Sequence, residues 1–457
     1  MKIRLIISVI LLGLLTSCNK FLDVTPKGMV IPQTVEDYNQ MLNMTGGSIS
    51  NVTYMSPELY MPKSLITSSG ASEIAAYYWS EYQYLENVND GTWNGLYARI
   101  YACNEIIEKI DKAETVTMNE MLRKNVKGQA YAERARCYFA LVNMYAKHYS
   151  QTTVNDLGVP LILSNDILQK SSRAKISEVY NQIIRDLSVA KVLVPKTVKE
   201  NEKAKATEQA VYAFLAKVYL FENKIDSSLI AINKAFETSV NFHRYNEYIR
   251  TTISDLFDKS SLPTESNKIN ETLWNGGVFS NFWAYTAYYS DDLLTIFDKD
   301  NDLRFYFFAS NVDRTNRPLP SYRYVNRITR THAASVAEMY LIRAECYART
   351  GATTLAMNDL NVLRYNRFRE GSNYQLTAST KEEAINQVKK ERLRELAFTG
   401  QNWFDLKRYQ AYGEVVPTFT RISGDSTITL APGSNRYVCS IPRFVIGKNP
   451  NIEQNPR

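Results

Sequence analysis

Apolar residues recur at helical spacing through most of the chain, in separate blocks. The first begins at Trp93, where Leu96, Ile100, Cys103, Ile106, Ile107 and Ile110 fall on one face. A longer block covers about 119–148 and carries Ala130, Ala135, Tyr138, Phe139, Leu141, Val142 and Tyr145. Residues 150–175 break the period. It returns from Ile176 to Val192, with Val179, Ile183, Ile184, Leu187 and Ala190 on one side. A helical pair then follows over 206–238, its first helix marked by Tyr212, Leu215, Ala216 and Tyr219 and its second by Ile232 and Ala235. A second pair covers 337–364, where Tyr340, Ala344 and Tyr347 face Ala356, Leu360 and Leu363 across a turn at Gly351. Large residues alternating with small alanines at helix crossings are the tetratricopeptide pattern. The two pairs are far apart in sequence, so no tandem array is expected.

Between the blocks the pattern fails. Residues 19–35 (NKFLDVTPKGMVIPQTV) read as an extended leader, because Pro26 and Pro32 oppose helix. A short helix is expected over 36–45 and a loop over the Gly/Ser/Thr/Pro-rich 46–72. Residues 240–335 read as strand and loop with aromatic clusters, and Gly413 to Arg457 shows little helical period. The stretch Glu391–Tyr409 (ERLRELAFTGQNWFDLKRY) differs from all of these. It mixes Glu391, Glu395 and Asp405 with Arg392, Arg394, Lys407 and Arg408 around Trp403 and Phe404. A charged helix tied to its neighbours, then a turn at Gly400 that seats Trp403 and Phe404 in the core, accounts for it.

Composition adds limits rather than detail. Over 457 residues, 45% are hydrophobic and 22% charged, enough for a large core. The net charge of +7 is dispersed, with no basic block interleaved with aromatics. Nucleic acid is therefore not an expected partner. Aromatics reach 12%, with 31 Tyr; a flat face with a polar tip suits carbohydrate stacking, but padding of helix interfaces accounts for most of them.

The N-terminus has Lys2 and Arg4, then an apolar run from Leu5 to Leu15, then Leu15-Thr16-Ser17-Cys18. Such a run is a secretory signal and too short to span a bilayer. Its ending resembles the lipobox of bacterial lipoproteins. That resemblance makes 1–17 a signal peptide and Cys18 the lipidated first residue of the mature chain. Cys103, Cys137, Cys346 and Cys439 form no metal-ligand spacing and read as small buried apolar residues.

Catalytic constellations are few. Glu391 and Glu395 lie one helical turn apart, but spacing along one helix cannot bring two carboxylates across a pocket. Ion pairing explains them better. Asp298, Asp300 and Asp302 alternate like the start of a calcium loop, yet Leu303 and Ala309 stand where Gly and Glu are needed. A polar turn ending a helix is expected there. No phosphate loop and no nucleophile elbow occur, and His148, His243 and His332 are scattered. No catalytic residue, metal or cofactor is expected. The remaining candidates are aromatic. Tyr77, Tyr78 and Trp79 form one cluster with Tyr82 and Tyr84 nearby; Trp274, Asn281, Trp283, Tyr285 and Tyr288 belong to a second. Both sit in or beside expected loops, where binding residues concentrate on a rigid scaffold. Flat rings stack on sugar C–H faces, and amides satisfy hydroxyls. For any single ring, closing a loop onto the helical core accounts for it better, and for the clusters jointly the two readings stand level.

Several segments together resemble the SusD/RagB family of nutrient-binding outer-membrane lipoproteins. They are SCNKFLDVTPKG at Cys18, ACNEIIEKI in the Trp93 helix, AYAERARCYFALVNMYA followed by GVPLIL, and SSRAKISEVYNQIIRDL. AVYAFLAKVYLF, AEMYLIRAECYARTGATTLAMNDLNVLR, ERLRELAFTGQNWFDLKR and IPRFVIGKNPNIEQNP complete the order. The resemblance implies a mainly α, tetratricopeptide-like helical-repeat scaffold with irregular loops and minor β. It implies a single domain over 36–457 behind a lipid-anchored leader over 18–35, with helix pairs near 93–148, 176–238 and 337–408. It further implies no enzyme activity, a lipid-anchored place at the outer face of the outer membrane, and a SusC-like TonB-dependent transporter barrel as partner. Thr399 and Asn402 stand where the family usually shows Glu and Arg, which fits joint loss of a structural salt bridge. Arg457 replaces the usual Gly-Tyr ending. The expected function is capture of nutrient oligosaccharides for the barrel. A peptide-binding member of the family and a helical-repeat interaction protein without a small ligand are the alternatives.

Overall fold

The computed structural model describes residues 32–43, 50–67, 69–88, 90–116, 118–166, 170–199, 202–250, 261–263, 270–275, 288–312, 318–324 and 333–457. Ten helices carry the architecture: α1 Val35–Met41, α2 Gly91–Lys109, α3 Glu120–Tyr145, α4 Ile176–Leu193, α5 Glu208–Phe221, α6 Ile225–Phe236, α7 Val336–Thr350, α8 Thr353–Tyr365, α9 Lys381–Leu396 and α10 Gln401–Ala411. Each periodic block of the sequence is one of these helices or a pair. Their starts follow from local chemistry. Thr34, Asp90, Asn119, Thr207, Ser335 and Thr380 each cap a helix by accepting a backbone N–H of its first turn.

The central element is α3. From Val126 onward nearly every residue is buried, so the helix is enclosed rather than amphipathic. It packs between α2 and α4. Gly128 permits the close crossing: a Cβ there would lie 2.8 Å from Leu193 Cβ and 2.9 Å from the Val194 nitrogen. Polar contacts inside the crossing are paired, with Arg134 bidentate on Asp186 at 2.8 and 2.7 Å.

The pairs α5/α6 and α7/α8 are close in space although about a hundred residues separate them in sequence, because α6 packs against α7. Ala216, Ala344, Ala348 and Ala356 are fully buried at the crossings. Gly351 turns α7 into α8 with φ +83°, a conformation that favours glycine. The helices thus stack as one tetratricopeptide-like array.

Minor β structure lies off the helices. Leu59–Tyr60, Tyr288–Tyr289, Pro318–Tyr324 and Ala309–Val312 form an antiparallel four-stranded sheet in that order. Phe419–Ser423 and Ser426–Leu430 form a hairpin. The region expected to be loop over 46–72 instead contains short helices at Ser50–Met55 and Lys63–Ile66, with another at Ala71–Tyr77. Each is too short to establish a readable period. The C-terminal tail is docked: Asn455 donates to the carbonyls of Tyr145 and Cys439, and Arg173 donates to Asn455 and to the carbonyl of Glu453. Cys103, Cys137, Cys346 and Cys439 are buried free thiols. Among the described residues, no helix is long and apolar enough to cross a membrane.

Candidate functional site

The signature Glu391–Tyr409 folds into the end of α9, a turn at Gly400 with φ +78°, and most of α10. Trp403 is fully buried and Phe404 nearly so. Its carboxylates are each met by guanidinium groups. Glu391 pairs with Arg304 at 2.7 Å, Arg364 at 2.9 Å and Arg394 at 2.7 Å. Glu395 pairs with Arg304 and Arg367, both at 2.9 Å. Asp405 pairs with Arg392 at 2.9 Å and Arg408 at 3.0 Å. Glu345, from α7, holds Arg408 and Arg349. Burial alone would raise the Glu391 carboxyl, but Arg304, Arg394 and Arg364 outweigh it and hold it well below the usual carboxylate range. The network joins α7, α8, α9, α10 and the Asp302–Arg304 turn.

Asp298, Asp300 and Asp302 build a local turn. Asp298 accepts the N–H groups of Asp300 and Asn301, while Asp302 caps the short helix Leu303–Phe308 and binds Arg304 at 2.7 Å. The turn therefore starts a helix rather than only ending one. No group of side chains suited to a metal ion occurs among the described residues.

Most of the described candidate aromatics are part of the framework. Trp79 is 3% exposed. It stands at the left-handed position (φ +49°) closing the helix Ala71–Tyr77, where glycine is usual. Its Nε1 donates to the Met55 carbonyl at 2.7 Å. The Arg421 guanidinium lies 4.2 Å from the Trp79 ring and 4.0 Å from the Tyr77 ring. Arg421 also donates to the carbonyls of Tyr54, Met55, Ser56 and Tyr77. Burial lowers its guanidinium to about 9, because these surroundings exclude water. Tyr77 and Trp79 therefore clamp the 419–430 hairpin to the short helices. Trp274 is 1% exposed, donates to the Ala204 carbonyl at 3.1 Å and packs edge-on to Phe214. Tyr288 is buried in the small sheet opposite Tyr60. These four are corrections to the expected platform. Flat rings at a scaffold edge close it as readily as they stack on sugars, and the partner that decides, Arg421, is remote in sequence. Tyr78 is half-buried, its hydroxyl on the Ile422 carbonyl at 3.2 Å. Asn281, Trp283 and Tyr285 lie outside the described residues, as does Cys18.

Two features were not anticipated. Asn402 donates at 2.6 Å to Glu58, a buried carboxylate that also accepts from Ser56 and from the Phe398 N–H at 3.4 Å. Burial raises the Glu58 carboxyl. So the departure at Asn402 does not leave the region free of unpaired acid, as joint loss of a salt bridge would. The second is concave. A half-open cleft of about 550 Å³ runs along α9, lined by Leu376, Glu383, Asn386, Gln387, Lys390 and Arg394. The repeat Asn386, Lys390, Arg394 at every fourth residue is its sequence signal.

Comparison with known proteins fits this architecture. Residues 20–220 match a family model described as SusD-like, starch-binding and associating with the outer membrane, and residues 311–457 match the SusD family model. A SusD-like protein of Bacteroides ovatus is 23% identical over 48% of this chain, a match that covers 39% of its own length. The SusD-like protein P2 of Formosa agariphila is 24% identical over 100% of this chain and 99% of its own. The chain thus spans less than half of the first of these relatives. Among solved structures, a SusD superfamily protein from Bacteroides thetaiotaomicron superposes with a TM-score of 0.70 at 21% identity, covering 93% of this chain and 100% of that one. A laminarin-binding SusD-like protein superposes with a TM-score of 0.62 at 18% identity over 92% of this chain and 97% of that one. The order of helices, the tetratricopeptide-like stack and both matched halves place this chain in the SusD/RagB family, a carbohydrate-binding family.

Proposed function

We propose that this protein is a non-catalytic glycan-binding lipoprotein that captures nutrient oligosaccharides and passes them to a SusC-like TonB-dependent barrel in the outer membrane. The observation that carries the reading is family membership across both halves of the chain, on a fold shared over nearly its whole length with a laminarin-binding protein. The paired state of the signature carboxylates supports a binding role. Glu391 is held ionised by Arg304, Arg394 and Arg364, and Glu395 is paired with Arg304 and Arg367, which suits scaffold and not a proton donor. Residues 1–18 support a lipid anchor at Cys18, since several buried acyl chains hold a soluble domain at a bilayer without a spanning helix. Tyr78, Asn281, Trp283 and Tyr285 are the remaining aromatic and amide candidates for ligand contact.

Isothermal titration against a panel of oligosaccharides and peptides tests the reading. Heat with at least one oligosaccharide and no product after prolonged incubation is expected; heat with peptides alone would overturn it. Metabolic labelling with a fatty-acid probe, lost in Cys18→Ala, tests the anchor.

A further inference from the structure

We propose that the cleft along α9 is a binding site for an acidic sugar unit, a glycan carrying a carboxylate or a sulfate. The proposal rests on the glycan-binding reading and gives it a substrate class. The cleft, about 550 Å³, is of a size that ligand sites occupy. Its lining is polarised along the helix. Lys390 and Arg394 stand at one end and Glu383 at the other, separated by seven and eleven residues, or about 10 and 16 Å at the helical rise.

The cationic end is fixed and keeps donors to spare. Arg394 donates through Nε to the Ile296 carbonyl at 2.6 Å and through Nη1 to Glu391 at 2.7 Å. Those two bonds set the plane of the guanidinium and leave Nη2 without a partner among the described residues. Lys390, one turn earlier, is exposed and has no carboxylate partner among the described residues. Its neighbour Lys389 is instead engaged by Glu414 at 2.9 Å. The nearest acid on the helix, Glu391, is consumed by three arginines and offers Lys390 nothing. Two cations one turn apart, one of them held in a fixed plane, suit a carboxylate or sulfate.

The other end suits a neutral sugar. Asn386 is exposed, and Gln387 is anchored by its Nε2 on the Thr377 carbonyl at 2.7 Å. Glu383 accepts the Ser379 N–H at 2.8 Å and keeps acceptor capacity for hydroxyls. That carboxylate would repel an anion at its own end. A ligand is thereby oriented, its acidic group toward Arg394 and its hydroxyls toward Glu383.

The experiment titrates the full chain with size-matched neutral, uronate and sulfated oligosaccharides at low and high salt, beside Lys390→Glu and Lys390→Arg. Lys390 is exposed, so thermal unfolding of both variants is expected to match the wild type. The expected result is tighter binding of the uronate or the sulfated probe than of the neutral one, weakened by salt. Lys390→Glu is expected to weaken it about tenfold or more, and Lys390→Arg to retain it; which acidic probe binds identifies the anion. Neutral binding as tight as acidic, or acidic binding untouched by Lys390→Glu, overturns the site while the glycan-binding reading stands. Binding to no glycan overturns both.

Discussion

The charged signature and the aromatic clusters make an instructive pair. Both present residue types that enzymes and binding sites use, and in the described residues both serve mainly as framework. They differ in how that role is written. In the signature, opposite charges stand three residues apart, and Arg394–Glu391 and Arg408–Asp405 pair within their own helices. Local spacing therefore already points to mutual satisfaction. In the clusters, Tyr77 and Trp79 are satisfied by Arg421, which comes from a hairpin more than three hundred residues away. A ring carries no local mark of what will cover it. A buried charge must be paired, and so reveals its role; a buried ring need only be covered, and so conceals it.

The sharpest way to break this contrast is to remove one charge. Glu391→Ala leaves Arg304 and Arg364 buried, and Arg394 half-buried, around a missing carboxylate. A loss of about 3–5 kcal/mol in denaturant unfolding is expected; an unchanged midpoint would show that the network is not structural. Trp79→Ala comes next, at about 3–4 kcal/mol, with the left-handed strain unrelieved because alanine keeps the Cβ that causes it. A stable Trp79→Ala protein would mean that the Arg421 clamp is dispensable.

Glu58 tests the same contrast with the opposite sign. Its folded pKa is raised by burial, so the folded state holds the proton more tightly than the unfolded chain. Stability from this group is present below the ordinary carboxylate value and is lost as pH rises through the folded pKa. Glu58→Gln is expected to stabilise the protein at neutral pH by about 1–3 kcal/mol and to flatten that fall. Parallel pH profiles for the two proteins would refute this. The smallest effect belongs to Tyr78→Phe, which loses only the bond to the Ile422 carbonyl, about 1 kcal/mol in thermal unfolding. A much larger loss would place Tyr78 within the clamp.

What could be read in advance followed the same division. Helices α2 to α10 announce themselves through long periods, caps and the glycine turns at Gly351 and Gly400. The short helices between Ser50 and Tyr77 do not, because four to seven residues cover two turns at most. Stacking of α6 on α7 was hidden because the array is continuous in space and interrupted in sequence. At the site, loop chemistry favoured Trp79 and Trp274, whereas burial assigns both to the core. The cleft on α9 was legible only as polar residues at every fourth position, a pattern that an ordinary solvated helix face shares.

Tryptophan substitution measures the central claim most directly, that the buried aromatics are framework and ligand contact lies elsewhere. Oligosaccharide affinity would be compared by calorimetry in Trp79→Phe, Trp274→Phe and the wild type, with thermal unfolding recorded on each. The account predicts lowered unfolding temperatures with affinity retained. Loss of binding in Trp79→Phe or Trp274→Phe at an unchanged unfolding temperature would contradict it.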